Sequence, residues 1–97
     1  MVKPIKLIHE AEIELWESVE FYETQVAGLG LDFQSEIRSA LKIIQQSPEL
    51  WPVRKSNVRR YLVDRFPFAI HYTIEPELLR VVAIAHCSRK PEYWKNR

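Results

Sequence analysis

The spacing of apolar residues divides the chain into a helical first half and a strand-rich second half. Residues 3–9 alternate over a short stretch, which predicts a strand. Two helices are predicted next, because apolar residues recur at helical spacing across residues 9–30 and again from about Asp32, whose side chain can cap a helix. Gly28 and Gly30 are predicted to turn the chain between the helices, and Pro48 to end the second one. The apolar stripes consist of Ala11, Leu15, Val19, Tyr22 and Val26 in the first helix and of Phe33, Ile37, Leu41 and Ile44 in the second.

The second half of the chain predicts three strands, at residues 58–65, 66–74 and 78–87, all rich in Val, Ile, Tyr and Phe. A connector before them has no regular period and contains two structure breakers, Pro52 and Asn57. The last strand is apolar on both faces, which is typical of an interior strand. The predicted fold is therefore α+β and forms a single domain over residues 1–97. It consists of an N-terminal strand, a helical hairpin and a three-stranded antiparallel meander, with two helices packed on a small, mainly antiparallel sheet.

The composition favours a small cytoplasmic protein. Of the 97 residues, 46% are apolar, which is enough for a modest core. Cys87 is the only cysteine, so no internal disulfide can form and a reducing cytoplasm is the natural compartment. No stretch approaches the roughly 18 apolar residues of a membrane span, and the first residues lack the apolar segment of a secretion signal. We therefore expect a soluble protein with no membrane partner.

The net charge of +1 hides a strong asymmetry between the two halves. Residues 1–50 carry four Lys or Arg against nine Asp or Glu, a balance of −5, whereas residues 51–97 carry ten against four, a balance of +6. The acidic face of the first helix, which includes Glu10, Glu14 and Glu17, is predicted to be solvated, and an alternative role is to repel nucleic acid from that side. Most charges of the basic half lie beside aromatic residues, a combination suited to an anionic partner or to nucleic acid.

The end of the chain combines residue types suited to chemistry. His86 lies near the end of the last predicted strand, and Arg89 and Tyr93 follow within seven residues. A histidine can move a proton near neutral pH, and an arginine can stabilise the added charge of a phosphodiester transition state. The alternative is a structural tail, in which Tyr93 and Trp94 fold back as a hydrophobic clasp and Arg89 pairs with a helix carboxylate. Further positive charge in this segment comes from Lys90, Lys95 and Arg97.

A second basic cluster surrounds the first predicted strand of the basic half. Neighbouring residues of a strand point to opposite faces of a sheet. Of the adjacent pair Arg59 and Arg60, at most one can therefore join the tail residues. The members of the cluster are Arg54, Lys55, Arg59, Arg60 and Arg65.

The sequence does not favour metal or cofactor chemistry. The potential ligands His9, His71, His86 and Cys87 do not show the spacing of a zinc motif. With two glycines in the chain, there is no glycine-rich phosphate loop. Cys87 is more typical of a buried strand residue than of a nucleophile. We therefore expect no metal and no cofactor.

Taken together, these segments resemble the RelE/ParE family of plasmid-stabilisation toxins over nearly the whole chain. The most specific pieces are Gly28-Leu29-Gly30-Leu31-Asp32-Phe33, Arg65-Phe66-Pro67-Phe68 and the end of the chain from His86 through Arg89, Pro91, Tyr93 and Trp94. The resemblance implies helices packed on a curved antiparallel sheet, and a growth-inhibiting toxin of a type II toxin–antitoxin system. It also implies a cognate antitoxin that wraps the toxin and holds it inactive.

The resemblance leaves two mechanisms open. RelE-like members cleave mRNA in the ribosome without a metal, whereas ParE-like members block DNA gyrase by binding. Two positions depart from the nucleolytic pattern, because Leu62 stands where a second lysine is common and Ala69 where an arginine is common. Carried over to this sequence, the catalytic residues of a nuclease would be Arg60, His86, Arg89 and Tyr93.

These departures favour a binding mechanism. Removal of one preorganised donor typically costs about 100- to 1000-fold in rate, and a ribosome-binding nuclease is expected to be more basic than this chain. We therefore expect a non-hydrolytic inhibitor of DNA gyrase. The alternatives are a RelE-like endoribonuclease acting on ribosome-bound mRNA and a degenerate member that only binds its antitoxin. The residues expected to bind the target or the antitoxin are Arg54, Lys55, Arg59, Arg65, Lys90, Trp94 and Arg97.

Overall fold

The computed structural model describes residues 2–97, which form two helices packed on one face of a five-stranded sheet. In chain order the elements are β1 (Ile5–Leu7), α1 (His9–Gln25), α2 (Leu29–Gln46), β2 (Val53–Lys55), β3 (Val58–Leu62), β4 (Phe68–Ile74) and β5 (Leu79–His86). The strand order is β1-β5-β4-β3-β2, with β1 parallel to β5 and the other pairs antiparallel. The predicted α+β arrangement, the N-terminal strand and the interior position of the last strand are confirmed.

β2 is a strand that the sequence pattern did not predict. Its three residues are all exposed, so they show no apolar alternation, and a connector was expected there. Ser56 and Asn57 join β2 to β3 with positive φ angles of 54° and 63°, and two successive left-handed residues are the geometry of a tight hairpin turn. Asn57 therefore turns a hairpin, and the meander has four strands in place of three.

The junction between the helices differs in detail from the prediction. α1 ends before Val26, which is 60% exposed and lies outside the helical stripe. Gly28 has a φ of 90°, a conformation that glycine adopts at little cost, and α2 begins at the next residue. The cap expected from Asp32 is supplied by Glu23 of α1 instead. Its carboxylate accepts hydrogen bonds from the backbone N–H groups of Gly28 (2.8 Å) and Gly30 (2.9 Å).

Gly30 lies inside α2 and not in the turn, and it allows α1 and α2 to touch. A Cβ atom here would overlap the carbonyl oxygen of Val19 and lie 2.9 Å from the Cβ of Glu23. We expect Gly30→Ala to lower the free energy of unfolding by about 1–3 kcal/mol, because the overlap outweighs the helix preference of alanine, which is about 1 kcal/mol. Urea denaturation measures this effect. Ser39→Ala, on the exposed side of the same helix, is the control, and an equal or higher stability of Gly30→Ala would contradict the close packing.

The main core lies between the helices and the sheet. α2 follows its predicted stripe and buries Phe33, Ile37 and Ile44 completely, whereas α1 buries only Ala11 completely and leaves the rest of its stripe half-buried or exposed. A smaller cluster covers part of the opposite face of the sheet, which is the face that remains open for a site. Its buried members are Val58, Val82, Ala83, Ala85 and Trp94.

β5 contains a bulge, and beyond the end of the short strand β1 its outer edge is uncovered. Tyr72 pairs with Val81 and His71 pairs with Ala83, so Val82 is the extra residue. β1 is three residues long and pairs with β5 only as far as Val81. The edge groups of residues 82–84 therefore need side-chain partners, because unpaired backbone groups at a sheet edge are costly when buried.

Candidate functional site

A pocket of about 440 Å³ lies on the sheet face that the helices leave uncovered. The strands β2 to β5 and the C-terminal tail (residues 87–97) form its walls. Among the described lining residues, Glu92 is the single carboxylate, and it pairs with Lys55 at 3.2 Å. The pocket is therefore cationic and suits an anionic group of a partner. Its basic side chains are Arg54, Lys55, Arg60, Arg89 and Lys90.

The register of β3 decides which arginine of the Arg59 and Arg60 pair reaches the pocket. Arg60 is the cross-strand partner of His71 in β4 and lines the pocket. Arg59 points to the other face, where its guanidinium donates to the carbonyl oxygens of Trp51 (2.6 Å) and Glu49 (3.2 Å). The two arginines thus point to opposite faces, as predicted, and Arg59 fixes the segment that precedes β2.

His71 forms part of the pocket floor. Its imidazole is half-buried, and its ring centre lies 5.3 Å from that of Trp94. Burial and, after it, the charge of Arg60 lower the pKa of His71 to about 4, so the imidazole is neutral near pH 7. Within residues 2–97, no group is hydrogen-bonded to this imidazole. Every buried side-chain nitrogen in the same residues has a hydrogen-bond partner, so the ring nitrogens of His71 are not among the buried atoms. The ring nitrogens are therefore open to the pocket.

The lowered pKa of His71 predicts a pH dependence of stability. The unfolded chain binds a proton at this residue below about pH 6.5, whereas the folded chain does so only near pH 4. The free energy of unfolding therefore decreases as the pH is lowered from about 6.5 to about 4. Because the ring is partly solvated, we expect a loss of about 1–2 kcal/mol. His71→Asn should remove this loss in urea denaturation at about pH 7 and about pH 5. The exposed His9→Asn variant should keep it, and an unchanged pH dependence in His71→Asn would contradict the assignment.

Glu14 of α1 ties the tail to the uncovered edge of β5. Its carboxylate accepts hydrogen bonds from the Arg97 guanidinium (2.9 Å to each oxygen), the Tyr93 hydroxyl (2.5 Å) and the backbone N–H of Ile84 (3.0 Å). Arg97 also donates to the carbonyl oxygen of Val82 (3.1 Å). Together these contacts satisfy the edge groups that β1 does not reach. The prediction of a solvated acidic face is wrong for Glu14, whose side chain is 11% exposed.

The phenol of Tyr93 is held by the same cluster. The guanidinium carbons of Arg89 and Arg97 lie 3.9 Å and 4.9 Å from its ring centre. Burial and, after it, the hydrogen bond to Glu14 raise the pKa of Tyr93, so the hydroxyl stays protonated and donates a hydrogen bond to the carboxylate. Tyr93 is thus folded back onto α1, and the arginine that pairs with the helix carboxylate is Arg97, not Arg89.

His86 points away from Arg60. The register of β5 sets it opposite Phe68, whose side chain belongs to the main core, and the two ring centres are 5.3 Å apart. The Nδ1 atom of His86 accepts the backbone N–H of Ser88 (3.0 Å) and lies 2.7 Å from the Ser88 hydroxyl oxygen. All four residues predicted for a nuclease border the pocket, but the imidazole beside Arg60 is that of His71.

The residues expected to bind a target or an antitoxin fall into two groups. Those that line the pocket are Arg54, Lys55, Lys90 and Trp94. Those that lie outside its lining are Arg59, Arg65 and Arg97. Arg65 pairs with Glu36 of α2 at 3.2 Å, so it links the sheet to the helix layer.

Leu62 and Ala69 add no charge in or beside the pocket. Ala69 is part of the lining, and Leu62 is 57% exposed at a shallow depression that adjoins Arg54 and Arg60. Arg54 from β2 and Lys90 from the tail add positive charge to the same pocket. These two cations partly offset the two that the nucleolytic pattern would have placed there.

Two residues of the site, His71 and Glu14, were not predicted. The signal for His71 was present, because the alternation of β4 places it on the less apolar face and a hairpin with β3 brings it beside Arg60. No comparable signal exists for Glu14, since its partners Ile84 and Arg97 lie 70 and 83 residues further along the chain.

Two further observations concern chemistry that the sequence did not favour. Cys87 is exposed just beyond the end of β5, so the expectation of a buried cysteine is wrong. In the part of the chain that the structure describes, no group of three or more His, Cys, Asp or Glu is placed to hold a metal ion.

The helices in residues 2–97 are not long and apolar enough for any of them to cross a membrane.

Comparison with known proteins defines the fold. No family model and no curated protein matches the sequence. Among solved structures, a chain of a chromosomal ParDE TA (toxin–antitoxin) system from P. aeruginosa is similar, with a TM-score of 0.75 and 19% sequence identity. The match covers 88% of this chain and 96% of that chain. The chain therefore has a ParE-like α+β fold, and the fold implied by the resemblance to RelE/ParE toxins is confirmed.

Proposed function

We propose that this chain is the toxin component of a toxin–antitoxin pair, a growth inhibitor that a cognate antitoxin holds inactive in the cytoplasm. The ParE-like fold and the RelE/ParE residue pattern along nearly the whole sequence support this proposal. The cationic pocket offers a surface for an anionic target, and acidic residues of a flexible antitoxin would also fit it. Co-expression with the cognate antitoxin, which is expected to be encoded by a small gene adjacent to that of this chain, should restore growth.

The proposed action is inhibition of DNA gyrase by binding, without hydrolysis. The observation that carries it is the position of the two residues expected to transfer protons. The Tyr93 hydroxyl donates to Glu14, and the register sets His86 opposite Phe68, on the sheet face away from Arg60, although both residues border the same pocket. A catalytic acid or base must reach the proton that it transfers, whereas binding requires only the cations that the pocket retains.

Two assays run side by side test this action. Purified protein at micromolar concentration should inhibit DNA supercoiling by gyrase, and the mRNA of a ribosome-dependent translation reaction should stay intact. Normal supercoiling in the presence of the protein would count against the gyrase proposal. Cleaved mRNA would favour the nuclease instead.

A metal-independent endoribonuclease acting on ribosome-bound mRNA is the second candidate function. It is favoured by the neighbouring positions of His71 and Arg60, since a neutral imidazole can accept a proton beside a cation that stabilises negative charge. Primer extension on mRNA from induced cells should then show cuts that vanish in Arg89→Ala. If expression of the protein does not slow growth, a degenerate member that only binds its antitoxin becomes the better proposal.

A further inference from the structure

The imidazole of His71 is an ionisable group of the pocket to which the gyrase proposal gives no role. It lies on the pocket floor, its nitrogens are open to the pocket, and no side chain of residues 2–97 is hydrogen-bonded to it. A neutral imidazole in a cationic pocket can still gain a proton if the charge around it changes. The groups that surround His71 show which change would be needed.

Positive charge faces His71 from three sides. Arg60 is its cross-strand partner in β3, Arg54 reaches the pocket from β2, and the tail contributes basic residues to the same lining. On the β5 side the neighbours Ala83 and Ala85 carry no charge. Glu14 of α1 acts in the opposite direction, but its carboxylate is already bound by Tyr93 and Arg97. The charge that would favour protonation must therefore come from a ligand.

We propose that the pocket binds a phosphate group of a nucleic-acid strand and that His71 takes up a proton from solvent when the phosphate binds. The negative charge of the phosphate offsets the repulsion by Arg60 and gives the imidazolium an acceptor for its N–H. The only bond formed is the N–H bond of the imidazolium. This inference rests on the proposed function in one respect, that the pocket is the surface through which the chain meets an anionic partner.

The number and spread of the cations favour phosphates over the carboxylates of an acidic peptide. Five basic residues from β2, β3 and the tail surround a pocket of about 440 Å³, which is roomy for one carboxylate but suits successive phosphates of a strand. Three of the five are arginines, whose planar guanidinium groups match phosphate oxygens in pairs. The exposed position of Arg54, Arg89 and Lys90 lets an extended strand approach them from solvent.

Calorimetric titration with a short single-stranded oligothymidylate that lacks a terminal phosphate tests the proposal, because neither its phosphodiesters nor its bases titrate at the pH values used. Heats measured in buffers of different ionisation enthalpy give the number of protons taken up. We expect an uptake that approaches one proton per oligonucleotide. The Kd should fall about fivefold to tenfold for each unit by which the pH is lowered from about 6.5 to about 5. His71→Asn should lose the uptake and most of this pH dependence, and His9→Asn should retain both.

A second measurement avoids dependence on a variant that folds poorly. The ring protons of His71 in the unmodified protein are followed by NMR as a function of pH, with and without the oligothymidylate, and the ligand should move the titration of this ring upward. The proposal is overturned by an absence of binding, by binding without proton uptake, or by uptake that persists in His71→Asn. Tighter binding of a polyglutamate peptide of equal charge would overturn the choice of phosphate.

The outcome is separable from that of the proposed function. If His71→Asn no longer binds the oligonucleotide with proton uptake but still inhibits growth, the inference gains support and the toxin proposal stands on other residues. If the protein binds the oligonucleotide with proton uptake but leaves growth and supercoiling unaffected, the toxin proposal fails while the phosphate site remains. Growth inhibition without any oligonucleotide binding overturns the inference alone.

Discussion

Replacement of Glu14 by alanine is expected to lower the free energy of unfolding by about 3–5 kcal/mol. The substitution removes the acceptor shared by the Tyr93 hydroxyl, the Arg97 guanidinium and the backbone N–H of Ile84. The Arg97 side chain, which is 18% exposed, loses its counter-charge, and the edge of β5 loses its cover. A domain of this size has a total stability of about 5–15 kcal/mol, so thermal unfolding should shift down by more than about 10 °C.

Matched variants separate the anchoring role of Glu14 from a general effect of charge. Glu17→Ala removes the same charge from an exposed position three residues further along α1, and we expect a change within about 0.5 kcal/mol. In the double variant Glu14→Ala/Arg97→Ala, part of the loss should be recovered because no unpaired guanidinium remains. Equal urea midpoints for Glu14→Ala and Glu17→Ala would contradict the anchoring of the tail by this carboxylate.

The parts of the fold that follow from local periodicity were predictable. The stripe of Phe33, Ile37 and Ile44 defines α2, and the two apolar faces of the last strand place β5 inside the sheet, because burial selects side chains at the period of each element. β2 has no such signal. It is an exposed edge strand held by backbone pairing and by the turn at Ser56 and Asn57.

The helix junction and the site depended on contacts that the local sequence does not encode. The N–H groups at the start of α2 are capped by Glu23 from the preceding helix. The local sequence offers Asp32 as a capping residue, and for this reason Asp32 was predicted in place of Glu23. The residues at the rim of the pocket could be predicted from charge next to the last strands. The orientation of Tyr93 could not, since it is fixed by Glu14, 79 residues earlier in the chain.

Under the proposed gyrase mechanism, the second large effect is expected from Arg60→Glu, which should raise the protein concentration needed for half-inhibition of supercoiling at least about 100-fold. Arg60 is half-buried beside His71, so the substitution replaces a cation of the pocket with an anion that repels a negatively charged partner. Growth inhibition in cells should disappear with it. Burial still lowers the pKa of His71 in this variant, but the new carboxylate should move that pKa upward because the repulsion by Arg60 is gone.

The control for this variant is Arg38→Glu, which makes the same change in net charge on the exposed side of α2, in the layer opposite the pocket. Arg38→Glu should inhibit supercoiling and growth like the unmodified protein. Both variants should unfold at similar urea concentrations, so that any loss of inhibition in Arg60→Glu reflects the pocket and not misfolding. A folded Arg60→Glu variant that still inhibits at the original concentration would show that the target binds elsewhere. The exposed apolar side chains of α1, Ile13 and Trp16, would then be the next surface to change.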